Sequence, residues 1–122
     1  MEFFICAHCG NVVAFLEEKG VKITCCGEEV RLFKPNVVDA AVEKHVPVVE
    51  VNDHTVTVTV SNVLHPMSED HYISWIVLHS EQGNQRKIIS RTGEPKAVFA
   101  LTDEDRPVTA YACCNLHGLW KS

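Results

Sequence analysis

The sequence predicts an all-β protein in two parts: a small four-cysteine module over residues 1–36 and an antiparallel β-sandwich over residues 37–122. Three observations carry that prediction. Six cysteines and seven histidines crowd a chain of 122 residues, and four of the cysteines stand before residue 27. Beyond Pro47 the apolar residues recur with the period of two that marks half-buried strands. Asn, Asp, Gly and Pro punctuate those runs at the spacing of a small sandwich, with almost no helical pattern between them.

The first part is "FICAHCGNVVAFLEEKGVKITCCGEEVRLFKPN", residues 4–36. Cys6 and Cys9 form C-x-x-C with Gly10 behind them, and Cys25 and Cys26 are adjacent with Gly27 behind them. The short runs "NVVAFLEE" and "VKIT" divide at Lys19-Gly20, which reads as two small hairpins whose knuckles face each other. So short a segment cannot build a self-sufficient apolar core, so a staple is expected. Four thiolates converging on one ion would supply it. A glycine after the knuckle lets backbone N–H groups point at the sulfurs. The usual ribbon repeats C-x-x-C in its second half. Here the second half is "CCG", and binding through both adjacent sulfurs should distort the tetrahedron. A plain zinc clip and a vicinal disulfide are the competing readings, and thiolates suit iron and zinc alike. His8, inside the knuckle, reads as an exposed loop residue.

Lys34-Pro35-Asn36 is the expected boundary. Asp39 can cap a single helical turn through "AAVEK", which must stop before Pro47. The strands follow. "VVEV" turns at Asn52-Asp53 into a run in which Thr55, Thr57 and Thr59 alternate with Val56, Val58 and Val60. "HYISWIVLHS" alternates again, with Ile73, Trp75 and Val77 on one face. "EQGNQR" turns it into "KIISR", and "KAVFALT" and "RPVTAYACC" are two more strands joined at "DEDRP". Six or seven short strands with such turns predict a sandwich of immunoglobulin-like type.

The remaining chemistry-bearing residues fall at strand ends. "EKHVP" puts His45 just before a strand, "NVLHPMSEDHY" puts His65 and His71 in one loop stiffened by Pro66, and "CCNLHG" adds two adjacent cysteines and His117 in the last loop. Loops on a rigid β scaffold are a common place for a site. Four imidazoles and a thiolate make five donors, where a closed structural zinc takes four, so the set suggests an octahedral ion with one position open. Read singly, each histidine is as well explained as an ordinary surface residue. His54, at a turn, and His79, on a strand, read as structural.

Taken in order, "CAHCG…CCG", "DAAVEKHVPVVE", "HPMSEDHYISWI" and "CNLHGLWK" resemble desulfoferrodoxin, the two-iron class of superoxide reductase, over essentially the whole chain. The resemblance implies a desulforedoxin-like module in which Cys6, Cys9, Cys25 and Cys26 hold a distorted rubredoxin-like iron. It implies a sandwich holding a second, square-pyramidal iron through His45, His65, His71 and His117, with Cys114 as axial ligand. Cys113 is then a packing residue on the opposite side of the strand. It further implies Lys44 beside the open position, where it attracts the substrate anion, and Glu43 as a ligand of the oxidised resting state. The implied reaction is one-electron reduction of superoxide to hydrogen peroxide, fed by a small electron-donor protein such as a rubredoxin. A homodimer is also implied.

Composition narrows the field. A net charge of −5 argues against non-specific nucleic-acid binding. No apolar run reaches the length of a membrane span, and the absence of a basic, apolar leader gives the expectation of a cytoplasmic protein. Two other readings stand beside the enzyme at this stage, a non-catalytic iron or electron-transfer module and a zinc-stabilised binding domain. Iron rests on the resemblance, because affinity alone favours zinc or copper at such sites.

Overall fold

The computed structural model describes residues 1–38 and 44–122. The helical turn expected from Asp39, and Glu43 with it, lie outside the described residues. The chain divides into two compact units, Met1–Lys34 and Pro35–Ser122. The described residues form strands and turns and no helix.

In the first unit β1 (Phe4–Ile5) pairs antiparallel with β2 (Val12–Val13), and β5 (Arg31–Leu32) closes on the other side of β1. A second hairpin joins β3 (Thr24–Cys25) to β4 (Glu28–Glu29). Each hairpin carries a cysteine pair at its turn, as the sequence suggests. Apolar burial is slight: Phe3, Cys6 and Val30 are buried, Phe15 packs edge-on against Phe4, and Leu16 and Val21 stand in solvent. That little core cannot hold two-residue strands together, so the cysteine cluster is the unit's main cohesive element.

In the second unit β6 (Val48–Asn52) and β7 (Thr55–Thr59) form a hairpin, and β10 (Lys96–Ala100) pairs along the other edge of β7. The hairpin turns at Asp53-His54, one residue later than the pattern suggests. Asp53 takes a left-handed φ of 58°, which Asp and Asn tolerate best after glycine. The second sheet has the order β12-β11-β8-β9, from β8 (Ile73–Ser80), β9 (Gly83–Ile88), β11 (Pro107–Cys114) and β12 (Gly118–Lys121). Here β9 begins at Gly83, inside the stretch expected to turn, and β12 was not anticipated at all.

The two sheets bury one core between them. Val56, Val58, Val60, Ala97 and Phe99 from one sheet meet Ile73, Ile76, Leu78, Ala110, Ala112 and Cys114 from the other. The alternation of Val56, Val58 and Val60 is as the sequence suggests. The face of β8 is not. Trp75 pairs with Cys113 but Ile73 pairs with Cys114, so Ser74 bulges out of the ladder. The bulge turns Ile73 onto the face of Ile76 and Leu78, so that Trp75 and Val77 lie outside that cluster. Ser74 uses the slack to donate its hydroxyl to the Cys113 carbonyl at 3.1 Å.

Antiparallel alternation then brings particular chain ends together. Val48 at the start of β6 lies opposite Thr59 at the end of β7, and the start of β8 and of β12 lie beside the end of β11. The five candidate donors all sit at these ends, three residues before β6, in the loop from β7 to β8, and at the β11–β12 turn.

At the hairpin tip of the first sheet, His54 pairs with Asp103 in the β10–β11 connection, and Asp53 lies 3.8 Å from its other ring nitrogen. The Asp103 hydrogen bond raises the His54 pKa above its usual 6.5, so the protonated form favours the folded state. This stabilisation is complete below the unfolded value and disappears as pH rises through the raised folded value. Thermal unfolding of wild type and His54→Asn should therefore differ most below the usual histidine value of about 6.5 and converge as pH rises past the raised folded value. A difference independent of pH would show that the pair contributes only packing.

Candidate metal centres

Among the described residues, each unit holds one cluster of metal-ligating side chains. In the first, one sulfur from each of Cys6, Cys9, Cys25 and Cys26 lies within 4.8 Å of all the others. None of the six cysteines of the chain is in a disulfide. The Cys9–Cys25 sulfur separation is 3.6 Å and Cys25–Cys26 is 4.0 Å. Four sulfurs at about 2.3 Å from one tetrahedral ion would stand about 3.8 Å apart, so the spacing fits a single ion. Glycines with positive φ, Gly10 and Gly27, follow each knuckle, and Cys26 itself has a left-handed φ of 53°. That conformation is how two adjacent residues turn their sulfurs toward one point, at the cost of strain that a β-extended cysteine would avoid.

The electrostatics of the cluster is uneven. Backbone N–H groups of Cys9 and then His8 hold the Cys6 thiol down to about 6, while the sulfur of Cys9, followed by those of Cys6 and Cys25, pushes Cys26 up to about 12. One thiolate is thus ready at neutral pH and further protons must leave as an ion enters. His8 is exposed as expected and meets Glu28 at 3.1 Å.

In the second unit, ligand atoms of His45, His65, His71 and Cys114 lie within 4.8 Å of one another. That four-member cluster does not take in His117. Its Nδ1 nevertheless lies 3.2 Å from His45 Nε2 and 3.8 Å from the Cys114 sulfur. The histidine rings meet edge to face around the cluster, His45 with His65 and His117, and His71 with His65 and His117, at centroid distances of 4.6–5.1 Å. His45, His65 and Cys114 are buried, His71 is half-buried and His117 is exposed, so among the described residues His71 and His117 are the most accessible members of the set. His54 and His79 stay away from it, as the sequence suggests.

Local hydrogen bonds aim these donors. The His65 backbone N–H donates to the Val60 carbonyl at 2.7 Å, which folds the chain back directly after β7. His65 Nδ1 donates to the Pro66 carbonyl at 2.7 Å, leaving Nε2 to carry the lone pair toward the cluster. Ser68 and His71 close the loop on each other through backbone and hydroxyl bonds of 2.9–3.3 Å. Trp120 lies face to face with His45, ring centroids 4.5 Å apart and planes within 16°, and its indole N–H donates to the His117 carbonyl at 3.1 Å. Asn36, in the boundary segment, pairs with β12 through bonds to Leu119 and Lys121. Cys113 points to the other face of β11, and burial pushes its thiol up to about 11.

The sequence names none of the aiming groups. Pro66 suggests stiffness but not a tautomer lock, and Trp120 flanks a candidate donor without showing whether it serves the site or the core. The unanticipated β12 is what carries Trp120 under His45.

Comparison with known proteins identifies this arrangement. The family model described as "Desulfoferrodoxin" matches residues 37–122. The chain belongs to the desulfoferrodoxin family. It is 41% identical to the desulfoferrodoxin of Nitratidesulfovibrio vulgaris over 99% of this chain and 94% of the relative. It is 42% identical to that of Syntrophotalea carbinolica over 100% of this chain and 95% of the relative. Among solved structures, the superoxide reductase from Treponema pallidum superposes with a TM-score of 0.85 at 38% identity, covering 99% of this chain and 96% of that one. Members of the family carry two iron centres, and both donor sets fit: four sulfurs for a rubredoxin-like ion, nitrogen and sulfur donors for a second.

The contacts of Trp120 give a test. Trp120→Phe should keep an aromatic face against His45 but lose the bond to the His117 carbonyl. Its melting temperature should fall by a few degrees, and metal should leave the second centre several-fold faster than in wild type, with the four-cysteine centre unaffected.

Proposed function

We propose that the chain is a superoxide reductase, catalysing the one-electron reduction of superoxide to hydrogen peroxide: superoxide, one electron and two protons give one peroxide. The observation that carries this is the convergence of three buried donors, His45, His65 and Cys114, with His71 and His117 at a solvent-facing edge. A structural ion would be closed off by four donors. Five donors open to solvent on one side suit an ion that must meet a small diatomic anion. The exposed edge is also where a donor protein can approach within electron-transfer distance.

In this reading His45, His65, His71, His117 and Cys114 hold one iron and Cys6, Cys9, Cys25 and Cys26 hold the other. Iron at the five-donor site supplies the single electron. The residues of the chain do the rest. The Pro66 carbonyl holds the His65 tautomer, and Trp120 holds the plane of His45. The Cys114 thiolate, the one anionic donor of the set, would lend negative charge to a bound iron and so favour release of its electron. Lys44, beside His45 in sequence, supplies positive charge for the approaching anion and a proton donor. Glu43 is proposed as a ligand of the oxidised resting state, displaced on reduction.

The first unit is proposed as a desulforedoxin-like module over residues 1–36, and the sandwich over 37–122 as immunoglobulin-like, supported by its three- and four-stranded sheets. A small electron-donor protein such as a rubredoxin and a homodimeric state belong to the same reading. The exposed Leu16 and Val21 are apolar surface that a second copy would cover. Among the described residues no helix is long and apolar enough to cross a membrane. A cytoplasmic location is proposed on six thiols outside any disulfide.

The yield of peroxide tests the activity. With an added reductant, the iron-loaded chain should release one peroxide for each superoxide consumed. Half that yield, with oxygen evolved, would mean disproportionation and would sink the proposal. Lys44→Ala should lower the second-order rate about tenfold or more and flatten its dependence on ionic strength, leaving both metals bound.

A further inference from the structure

The turn that joins β11 to β12 begins with Asn115, between the candidate donors Cys114 and His117. Although this residue is exposed, its polar groups are engaged on a distant segment. Oδ1 accepts from the Tyr72 backbone N–H at 2.9 Å, and Nδ2 donates to the Asp70 carbonyl at 2.9 Å. The Asn115 backbone N–H donates to the Tyr72 carbonyl at 3.1 Å. The two side-chain bonds straddle His71. They reach the carbonyl of the residue before it and the N–H of the residue after it, the pair of groups that one residue of a parallel strand engages on its neighbour. Together with that main-chain bond, the side-chain amide substitutes for a strand where neither segment has one.

We propose that Asn115 is a positioning residue of the five-donor centre. Its amide fixes the His71 backbone against the Cys114–His117 turn, and thereby sets how firmly and in what geometry an ion is held. The inference rests on the metal-centre reading above. The chemistry requires this residue type. A carboxylate at 115 would face the Asp70 carbonyl oxygen with a second acceptor, and a methyl would offer neither bond. The clasp ties together three of the five donors, His71, Cys114 and His117. The Ser68–His71 bonds shape the loop internally but do not connect it to that turn. The ladder between the two segments ends at Ile73 with Cys114, and past it the Asn115 N–H to the Tyr72 carbonyl and the two side-chain bonds of Asn115 carry the link on to His71. The Arg91 guanidinium packs over the Tyr72 ring at 4.2 Å, which adds to the hold on the same loop from its outer side.

The test uses the intact chain loaded with cobalt(II), whose thiolate and ligand-field bands report both centres separately. In Asn115→Ala, cobalt should leave the five-donor centre for a chelator about ten- to hundredfold faster than in wild type. The bands of that centre should shift in position and intensity, while those of the four-cysteine centre stay unchanged. Asn115→Asp keeps the shape and the acceptor for the Tyr72 N–H and loses only the donor to Asp70. It should move the same readouts in the same direction, and it decides the matter if the alanine variant does not fold. Unchanged dissociation and unchanged bands in both variants would overturn the proposal. So would a uniform loss, in which both centres and the metal-free melting temperature fall together, since a merely structural residue behaves that way. Failure of the wild-type second centre to take up cobalt would instead overturn the metal-centre reading itself.

Discussion

Cys114 belongs to two structures at once, and the rest of the second unit is arranged around that fact. It is a member of the apolar cluster between the sheets, and its sulfur is also one corner of the donor cluster. A thiol at the last residue of a core strand has its position fixed by the packing of Ile73, Val60 and the neighbouring ladder, so it cannot adjust to an ion. The imidazoles must come to it. They do so from outside the core strands: His45 three residues ahead of β6, His65 and His71 in the β7–β8 loop, and His117 in the β11–β12 turn. A sulfur placed by core packing and nitrogens placed by local hydrogen bonds make a division of labour that a cluster built wholly on loops would lack.

The ladder bulge at Ser74 follows from the same requirement. Without it, strict alternation along β8 would put Ile73 on the outer face and leave the core open beneath Cys114. The extra residue returns Ile73 to the interior and lets the preceding loop, with His71, start on the side of the donors. Bulges are commonly found where a strand must re-aim a side chain near a functional site. The hydroxyl of Ser74 on the Cys113 carbonyl satisfies a group that the interrupted ladder leaves exposed.

Much of this is legible in the sequence because its signals are local. C-x-x-C with a following glycine, valines at alternate positions 56, 58 and 60, and histidines beside strand ends can each be read within ten residues. The knuckles, β7, β10 and β11 appear where those signals put them. What cannot be read is set by pairing. The face of β8 depends on a bulge defined only against β11. The strand β12 is four residues long and follows a turn rich in chemistry, so its "GLWK" reads as part of the loop. Asn115 is invisible for the same reason: its partners are 43 and 45 residues away, and an asparagine in a turn has an adequate local explanation.

The two donor sets also divide the chemistry by charge. A divalent ion with four neutral imidazoles and one thiolate keeps a net positive charge, and Lys44 adjoins it in sequence. The same ion among four thiolates carries a net negative charge. An anionic substrate is drawn to the first and repelled by the second, over distances within a Debye length of the surface. Four sulfurs would also complete a tetrahedral ion, whereas five donors would leave one position of an octahedral ion unfilled. Electrostatics and donor number thus both favour the sandwich centre as the place of the proposed substrate chemistry. The first unit is left a task its sequence supports, holding itself together with an ion in place of a core. That the chain's overall charge is negative does not weaken the argument, because a small anion close to the site responds to the local field, and the acidic surface discourages other polyanions from competing for it.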